Sequence, residues 1–84
     1  MTEPEMIDML EAHIERLEEI KYDMSMTRGF FDVGEWLLAF EGIWVVNDQL
    51  ANILDANEVS ALEKYFDIVM AGITWNKLEN DQRY

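Results

Sequence analysis

The sequence predicts an all-α fold, an antiparallel three-helix bundle with room for a short fourth helix at the C terminus. Apolar residues recur at spacings of three and four along most of the chain, which is the period of one helix face. Alternating apolar and polar residues and hairpin turn signals are absent, so the sequence does not favour strands. Half of the 84 residues are hydrophobic, and we expect one domain, residues 1–84, with its own core.

The first helix is predicted over about residues 3–24. Thr2 and Glu5 match the capping box, in which each side chain bonds the other residue's backbone N–H, and Pro4 suits the first helical turn. The residues that follow at helical spacing form one apolar stripe: Met6, Leu10, His13, Leu17, Ile20 and Met24.

The outer face of the first helix is acidic. Glu18, Glu19 and Asp23 fall in the last two turns of the predicted helix, where the negative end of the helix dipole disfavours carboxylates. Local stability therefore does not explain these three residues. They are interpreted either as part of a binding surface or as a tolerated solvated face.

The second predicted helix is central to the bundle. Residues 25–31 break the helical period and are predicted as a loop, after which Asp32 and Glu35 are predicted to cap the helix. The run from Gly34 to Val46 is the most apolar in the chain. A helix that is apolar nearly all round is buried, so we expect partners on at least two sides.

Particular residues in this second helix predict how it packs. Trp36, Phe40 and Trp44 recur every fourth residue and share one face, which is more typical of core than of interface. Gly34 and Gly42 lower helix propensity, which indicates close approach of a neighbouring helix. Helical spacing persists beyond Asn47 and Asp48, so the helix is expected to continue to about residue 53, with or without a bend.

The third helix is predicted to begin after Asp55, which forms a cap signature with Glu58, and to end near Gly72. Trp75 is expected to pack near the end of the chain and to remain partly exposed, as an aromatic contact for a partner. The apolar stripe of this helix comprises Val59, Leu62, Phe66, Val69 and Ile73.

Charge and composition exclude several classes of function. Eighteen acidic residues against six basic ones give a net charge of −12, which disfavours nucleic acid and anionic membranes as partners and favours a basic protein. Solubility alone is the other interpretation of this charge. With no cysteine, no basic N-terminal segment and no apolar run long enough to span a bilayer, the sequence predicts a cytoplasmic protein.

No motif in the sequence predicts catalysis, a cofactor or a metal site. His13 is the only histidine, and without an HExxH or ExxH pair it is expected to be a hydrogen-bonded core or boundary residue. The chain has no EF-hand loop and no glycine-rich phosphate loop. Acyl carrier proteins attach phosphopantetheine at an Asp-Ser-Leu motif, which neither Ser25 nor Ser60 matches, so that class is rejected.

The segment Asp32 to Ile43, which contains GEWLLAFEGI, resembles the small helical bacterial immunity proteins of the MafI type and of contact-dependent inhibition systems. The order of helices extends this resemblance over most of the chain. After Trp44, apolar residues replace the polar run typical of that pattern. The resemblance implies a cytoplasmic protein that binds and blocks one cognate toxin, often a nuclease with a basic cleft.

The sequence therefore predicts a non-enzymatic immunity protein that binds a basic toxin, with a monomer favoured over a homodimer. The alternative is a homodimeric adaptor or regulatory module that associates through an exposed part of the second helix. The toxin-binding surface is predicted where the first helix ends and the second begins, with Trp75 as a further contact. Its acidic residues are Glu15, Glu18, Glu19, Asp23, Asp32 and Glu35.

Overall fold

The computed structural model describes residues 1–66, and within this range helices are the only regular secondary structure. This confirms the predicted fold class. The C-terminal part of the third predicted helix, the optional C-terminal helix and Trp75 lie outside the described residues. The four helices are α1 (Glu3–Glu19), α2 (Ser25–Asp32), α3 (Trp36–Gln49) and α4 (Ala56–Tyr65).

Helix α1 begins as predicted. The Thr2 hydroxyl accepts a hydrogen bond from the Glu5 N–H at 3.3 Å, and Glu5 Oε1 accepts one from the Thr2 N–H at 2.8 Å. These bonds to Thr2 lower the pKa of the Glu5 carboxyl. The predicted stripe is buried as far as Leu17, so the capping box and the helical period together identify this helix.

Helix α1 ends at Glu19 rather than near residue 24, because the chain forms a Schellman turn there. The Tyr22 N–H bonds the Leu17 carbonyl at 3.1 Å, and the Lys21 N–H bonds the Glu18 carbonyl at 2.9 Å. Lys21 has a φ of 68°, in the left-handed region where glycine is usual. Since lysine occupies this position, no glycine marks the end of the helix in the sequence.

The loop predicted over residues 25–31 is wrong, because the whole of this segment belongs to helix α2. Asp23 Oδ1 accepts hydrogen bonds from the Ser25 N–H at 3.0 Å and from the Ser25 hydroxyl at 2.6 Å. Met24 and Thr27 are buried against the rest of the molecule. Tertiary packing thus stabilises a helix of eight residues that is too short to be stable alone.

The caps predicted at Asp32 and Glu35 are also wrong. Asp32 is the last residue of α2, and Glu35 precedes α3 without a side-chain hydrogen bond to the first turn. Gly34 has a φ of 79° and lies between the helices rather than inside one. The Glu35 N–H bonds the Phe30 carbonyl at 2.9 Å, so this segment closes α2 instead of capping α3.

Helix α3 is the central helix, as predicted, and packs against both α1 and α2. Phe40 and Ile43 are fully buried, whereas Trp36 and Trp44 are half-buried. Gly42 faces Thr27 of α2 so closely that a side chain at position 42 would collide with it. The close approach predicted from Gly42 is confirmed.

Helix α3 ends at Gln49, so its predicted continuation to residue 53 is wrong. Asn47 is buried, and its Oδ1 accepts a hydrogen bond from the Leu54 N–H at 2.9 Å. The Asn52 N–H bonds the Asn47 carbonyl at 2.7 Å, and Ala51 has a φ of 60°. This Schellman turn, like the one that ends α1, has no glycine, and it folds the chain back towards α1.

Helix α4 begins where predicted, because Asp55 Oδ1 accepts a hydrogen bond from the Glu58 N–H at 3.0 Å. Val59 and Leu62 are buried, and the Phe66 ring stacks on Phe40 with centroids 5.4 Å apart. The first turn of α4 lies against α1 near His13. This contact forms one of the sites described below.

Candidate functional site

The outer face of α1 carries the acidic residues that are available to a partner. Glu15 and Glu19 are one helical turn apart, and both are exposed. Within residues 1–66, neither side chain forms an ion pair or a hydrogen bond. Among the described residues no cation is paired with these two carboxylates, a state that favours attraction of a cationic protein.

Glu18, although predicted in the same set, is already paired inside the molecule. Arg28 of α2 donates from Nη2 to Glu18 Oε1 at 2.7 Å and from Nε to Glu18 Oε2 at 3.4 Å. Arg28 Nη1 also lies 3.8 Å from Glu11 Oε2. The hydrogen bond with Glu18 is the main reason that the pKa of Arg28 is raised. Glu18 thus links α1 to α2 and is less available for binding.

Asp23 also has a local structural function. Its two hydrogen bonds from Ser25 lower the pKa of its carboxyl, the side-chain bond having the larger effect. The sequence interpretation placed Asp23 at an unfavourable helix end. In the structure it precedes a helix N terminus, where a carboxylate is favourable.

The remaining predicted residues lie around the junction of α2 and α3. Asp32 and Glu35 are both exposed. Asp32 contributes to the electrostatic stabilisation of Arg28, together with Glu18 and Glu11. The structure therefore brings Glu18 and Asp32 to one cation, leaves Glu15 and Glu19 on the outer face of α1, and does not describe Trp75.

A groove between α2 and α3 is a feature that the sequence interpretation missed. It has a volume of about 500 Å³, and one of its lining residues, Met26, is 77% exposed. Phe30 lies one helical turn after Met26, a spacing that was visible in the segment predicted as a loop. The apolar side chains that line the groove are Tyr22, Met26, Phe30, Leu38, Val45 and Val46.

A second cavity, of about 390 Å³, lies between α1 and the start of α4. His13 lines this cavity and is only 4% exposed, so its predicted burial is confirmed. The prediction that it is hydrogen-bonded is wrong at Nε2, which is buried without a partner among the described residues. The distance from His13 Nε2 to Glu58 Oε1 is 3.7 Å, which is beyond hydrogen-bonding distance.

Burial is the main influence on the ionisation of His13. It lowers the pKa of the imidazole below the usual value of 6.5, while the nearby carboxylates of Glu58 and Asp55 oppose this shift. The imidazole is therefore neutral at pH 7. A neutral imidazole has one nitrogen that donates and one that accepts a hydrogen bond, so Nε2 can serve as an acceptor in one tautomer.

The described residues do not assemble a metal site. Within residues 1–66, no three histidine, aspartate or glutamate side chains are grouped so that they could hold an ion. None of the helices in this range has the length and apolar character required to cross a membrane. The chemistry that the described surface offers is acceptance of hydrogen bonds and attraction of positive charge.

Searches for related proteins give no match to this chain among protein-family models, curated proteins or solved structures. The resemblance of residues 32–43 to helical immunity proteins consequently remains a prediction. The functional argument depends on the exposed carboxylates, the groove and the His13 cavity.

Proposed function

We propose that this protein is a non-enzymatic, cytoplasmic immunity protein that binds and neutralises a cognate basic toxin of the nuclease type. The observation that carries the proposal is a pair of exposed carboxylates on the outer face of α1 that have no partner within residues 1–66, in a chain of net charge −12. The resemblance of GEWLLAFEGI to immunity proteins supplies the biological context.

The acidic face would act mainly on the rate and specificity of association. Long-range attraction between a negative and a positive protein raises association rates by about ten- to a thousandfold at low salt. In a nuclease, carboxylates can occupy the positions that substrate phosphates would take. Glu15 and Glu19 suit this function because binding a partner would not require any ion pair within residues 1–66 to break.

Inhibition by binding is favoured over catalysis by what surrounds the single histidine. The side chains that line the His13 cavity include carboxylates, a guanidinium and aliphatic groups, but no hydroxyl or thiol nucleophile. In the described part of the chain, the His13 imidazole also has no hydrogen bond at Nε2 to orient it, whereas a catalytic base is normally held by a third group.

Co-purification from the native genomic context tests this proposal. The tagged protein would be expressed with the gene immediately upstream, since toxin and immunity genes are usually adjacent. We expect a basic polypeptide to elute in a one-to-one complex, to inhibit growth when expressed alone and to be neutralised by co-expression of this chain. Failure to recover any basic partner that inhibits growth would contradict the proposal.

A homodimeric adaptor is the second candidate, and the groove between α2 and α3 favours it. Exposed Met26 and Leu38 give this groove an apolar surface that a second copy could cover. Light scattering at micromolar concentration distinguishes the candidates. A discrete dimer that is disrupted by Met26→Glu would favour the adaptor, whereas a monomer would remove its main support.

A further inference from the structure

The cavity between α1 and α4 combines a buried unpartnered polar atom with two carboxylates. Within residues 1–66, His13 Nε2 lies inside the fold with no hydrogen-bond partner, and leaving a buried polar group unpaired is unfavourable. The carboxylates of Asp55 and Glu58 belong to the same cavity, together with Arg16. A ligand that donates hydrogen bonds here would satisfy the imidazole and offset both negative charges.

We propose that this cavity is a binding site for an arginine side chain of a protein partner. A guanidinium group carries five N–H donors in a plane, which can serve the two carboxylates and His13 Nε2 together. Ala12 and Ile53 supply apolar surface for the methylene stem. The volume of about 390 Å³ lies within the range of roughly 300–1,000 Å³ that small-ligand pockets occupy.

The charge of the cavity favours a cation over an anion. With a neutral imidazole, two carboxylates outnumber the single guanidinium of Arg16. Arg16 is exposed, so its flexible side chain can move into solvent when a second cation enters. An anionic ligand would gain a contact with Arg16 but would be repelled by both carboxylates, which lie at the N terminus of α4.

The capping arrangement leaves the carboxylates able to bind. Asp55 uses Oδ1 to cap α4, and its other oxygen forms no hydrogen bond within residues 1–66. The Glu58 side chain is half-exposed, and only its backbone N–H takes part in the cap. Neither acid must therefore abandon a structural bond to contact a guanidinium.

The inference deepens the proposed function, on which it depends for the identity of the partner as a basic protein. The cavity borders the acidic face of α1, because Ala12 lies one helical turn before Glu15. A toxin attracted by Glu15 and Glu19 would then insert an arginine beside His13. The outer acids would govern attraction, and the cavity would govern which basic side chain is accepted.

Nuclear magnetic resonance of the purified full-length chain tests the site without a toxin. The probes are blocked arginine (acetyl-arginine amide), its neutral isostere blocked citrulline, and blocked glutamate. We expect saturable shifts at His13, Asp55 and Glu58 with blocked arginine in the millimolar range, and much weaker shifts with citrulline. Bound guanidinium should also lower the pKa of His13, followed through its imidazole resonances, because a nearby cation disfavours the imidazolium.

Matched variants complete the test. Glu58→Gln keeps the backbone cap and should weaken blocked-arginine binding roughly five- to tenfold, since it removes a charge-assisted hydrogen bond. Glu3→Gln makes the same charge change at the far end of α1 and should leave binding unchanged. Equal shifts with citrulline, preferential binding of blocked glutamate, or equal effects of the two variants would overturn the assignment.

The probe titration tests the cavity assignment, and the co-purification tests the proposed function, so a negative result in one does not decide the other. If blocked arginine binds but no toxin is recovered, the cavity is an arginine site and the proposed function is wrong. If a basic toxin binds but Glu58→Gln leaves both its affinity and blocked-arginine binding unchanged, the proposed function stands and the cavity assignment falls.

Discussion

The Thr27 side chain occupies the space that a side chain at position 42 would need. A Cβ added to Gly42 would overlap the Thr27 hydroxyl and lie 3.2 Å from the Thr27 Cβ. The contact fixes how closely α2 approaches α3, and it therefore sets the shape of the groove between them. Glycine at this position is required by the neighbouring helix and not by its own backbone conformation.

Replacing Gly42 by alanine is therefore expected to destabilise the protein. Alanine improves helix propensity by about 1 kcal/mol, but overpacking a tight contact costs typically 1–3 kcal/mol, so we expect a net loss of roughly 1 kcal/mol. Gly29→Ala is the matched control, because nothing lies within 4 Å of the added methyl group, and it should stabilise by about 0.5–1 kcal/mol. Urea unfolding measures both variants, and equal stabilisation by the two would refute the packing argument.

At the end of α3, a substitution is expected to stabilise the protein rather than destabilise it. Ala51 adopts a φ of 60°, and the left-handed conformation costs a residue with a Cβ roughly 1–2 kcal/mol. Ala51→Gly should therefore stabilise the fold by a few tenths of a kcal/mol to about 1 kcal/mol, after the greater freedom of glycine in the unfolded chain is subtracted. Ala12→Gly, at a helical and exposed position, should instead destabilise by about 1 kcal/mol. The thermal midpoints should move in opposite directions, and a shift of the same sign would contradict the turn assignment.

Stability should depend on pH through His13. Burial lowers the pKa of His13 in the folded state below 6.5. At pH values between the folded-state pKa and 6.5, the unfolded chain therefore binds more protons than the folded one. The stability contributed by the neutral imidazole is thus present above about pH 6.5 and is lost as the pH falls towards the folded-state pKa. Each unit by which folding lowers the pKa of His13 corresponds to about 1.4 kcal/mol of free energy of unfolding.

His13→Leu isolates this effect, because His13 is the only histidine. Acidification also protonates carboxylates and relieves repulsion, but this change is common to both proteins. We expect the melting temperature of the native protein to fall relative to that of the variant between pH 7.5 and pH 5.5. Parallel pH profiles would show that His13 does not titrate differently in the folded and unfolded states.

The acidic face predicts a salt-dependent effect on toxin binding. Glu15→Lys combined with Glu19→Lys should slow association roughly tenfold at low salt and much less at high salt, because screening removes long-range attraction. Glu3→Lys combined with Asp48→Lys makes the same change in net charge at exposed positions elsewhere. If both double variants slow association equally, total charge governs binding, and the outer face of α1 is not the contact surface.

This test changes Glu15 and Glu19 but leaves Glu18 and Asp23 unchanged, although the sequence interpretation placed all four on the binding surface. Glu18 is hydrogen-bonded to Arg28 at 2.7 Å, and Asp23 is hydrogen-bonded to Ser25. Reversing either charge would disturb the connection between α1 and α2 as well as any binding. Glu15 and Glu19 separate the two effects, because no ion pair within residues 1–66 depends on them.

The sequence by itself determined the all-helical class, the helix starts at Thr2 and Asp55, and the close approach at Gly42. The fold class and the helix starts depend on residues within one or two turns of one another, or on a period that repeats along the chain. The close approach could be predicted because glycine inside an apolar helix lowers helix propensity without a local reason. A capping box and an apolar stripe can be recognised without knowledge of the rest of the molecule.

Only the tertiary structure decided where α1 and α3 end, that residues 25–32 form a helix, and which acids remain unpaired. The Schellman turns that end α1 and α3 place Lys21 and Ala51 in the left-handed region, where sequence rules expect glycine. The partner of Glu18 lies ten residues away on another helix, and Glu58 approaches His13 from the far end of the described chain. Such relationships depend on how the helices pack, because side-chain partners that are distant in sequence carry no local pattern.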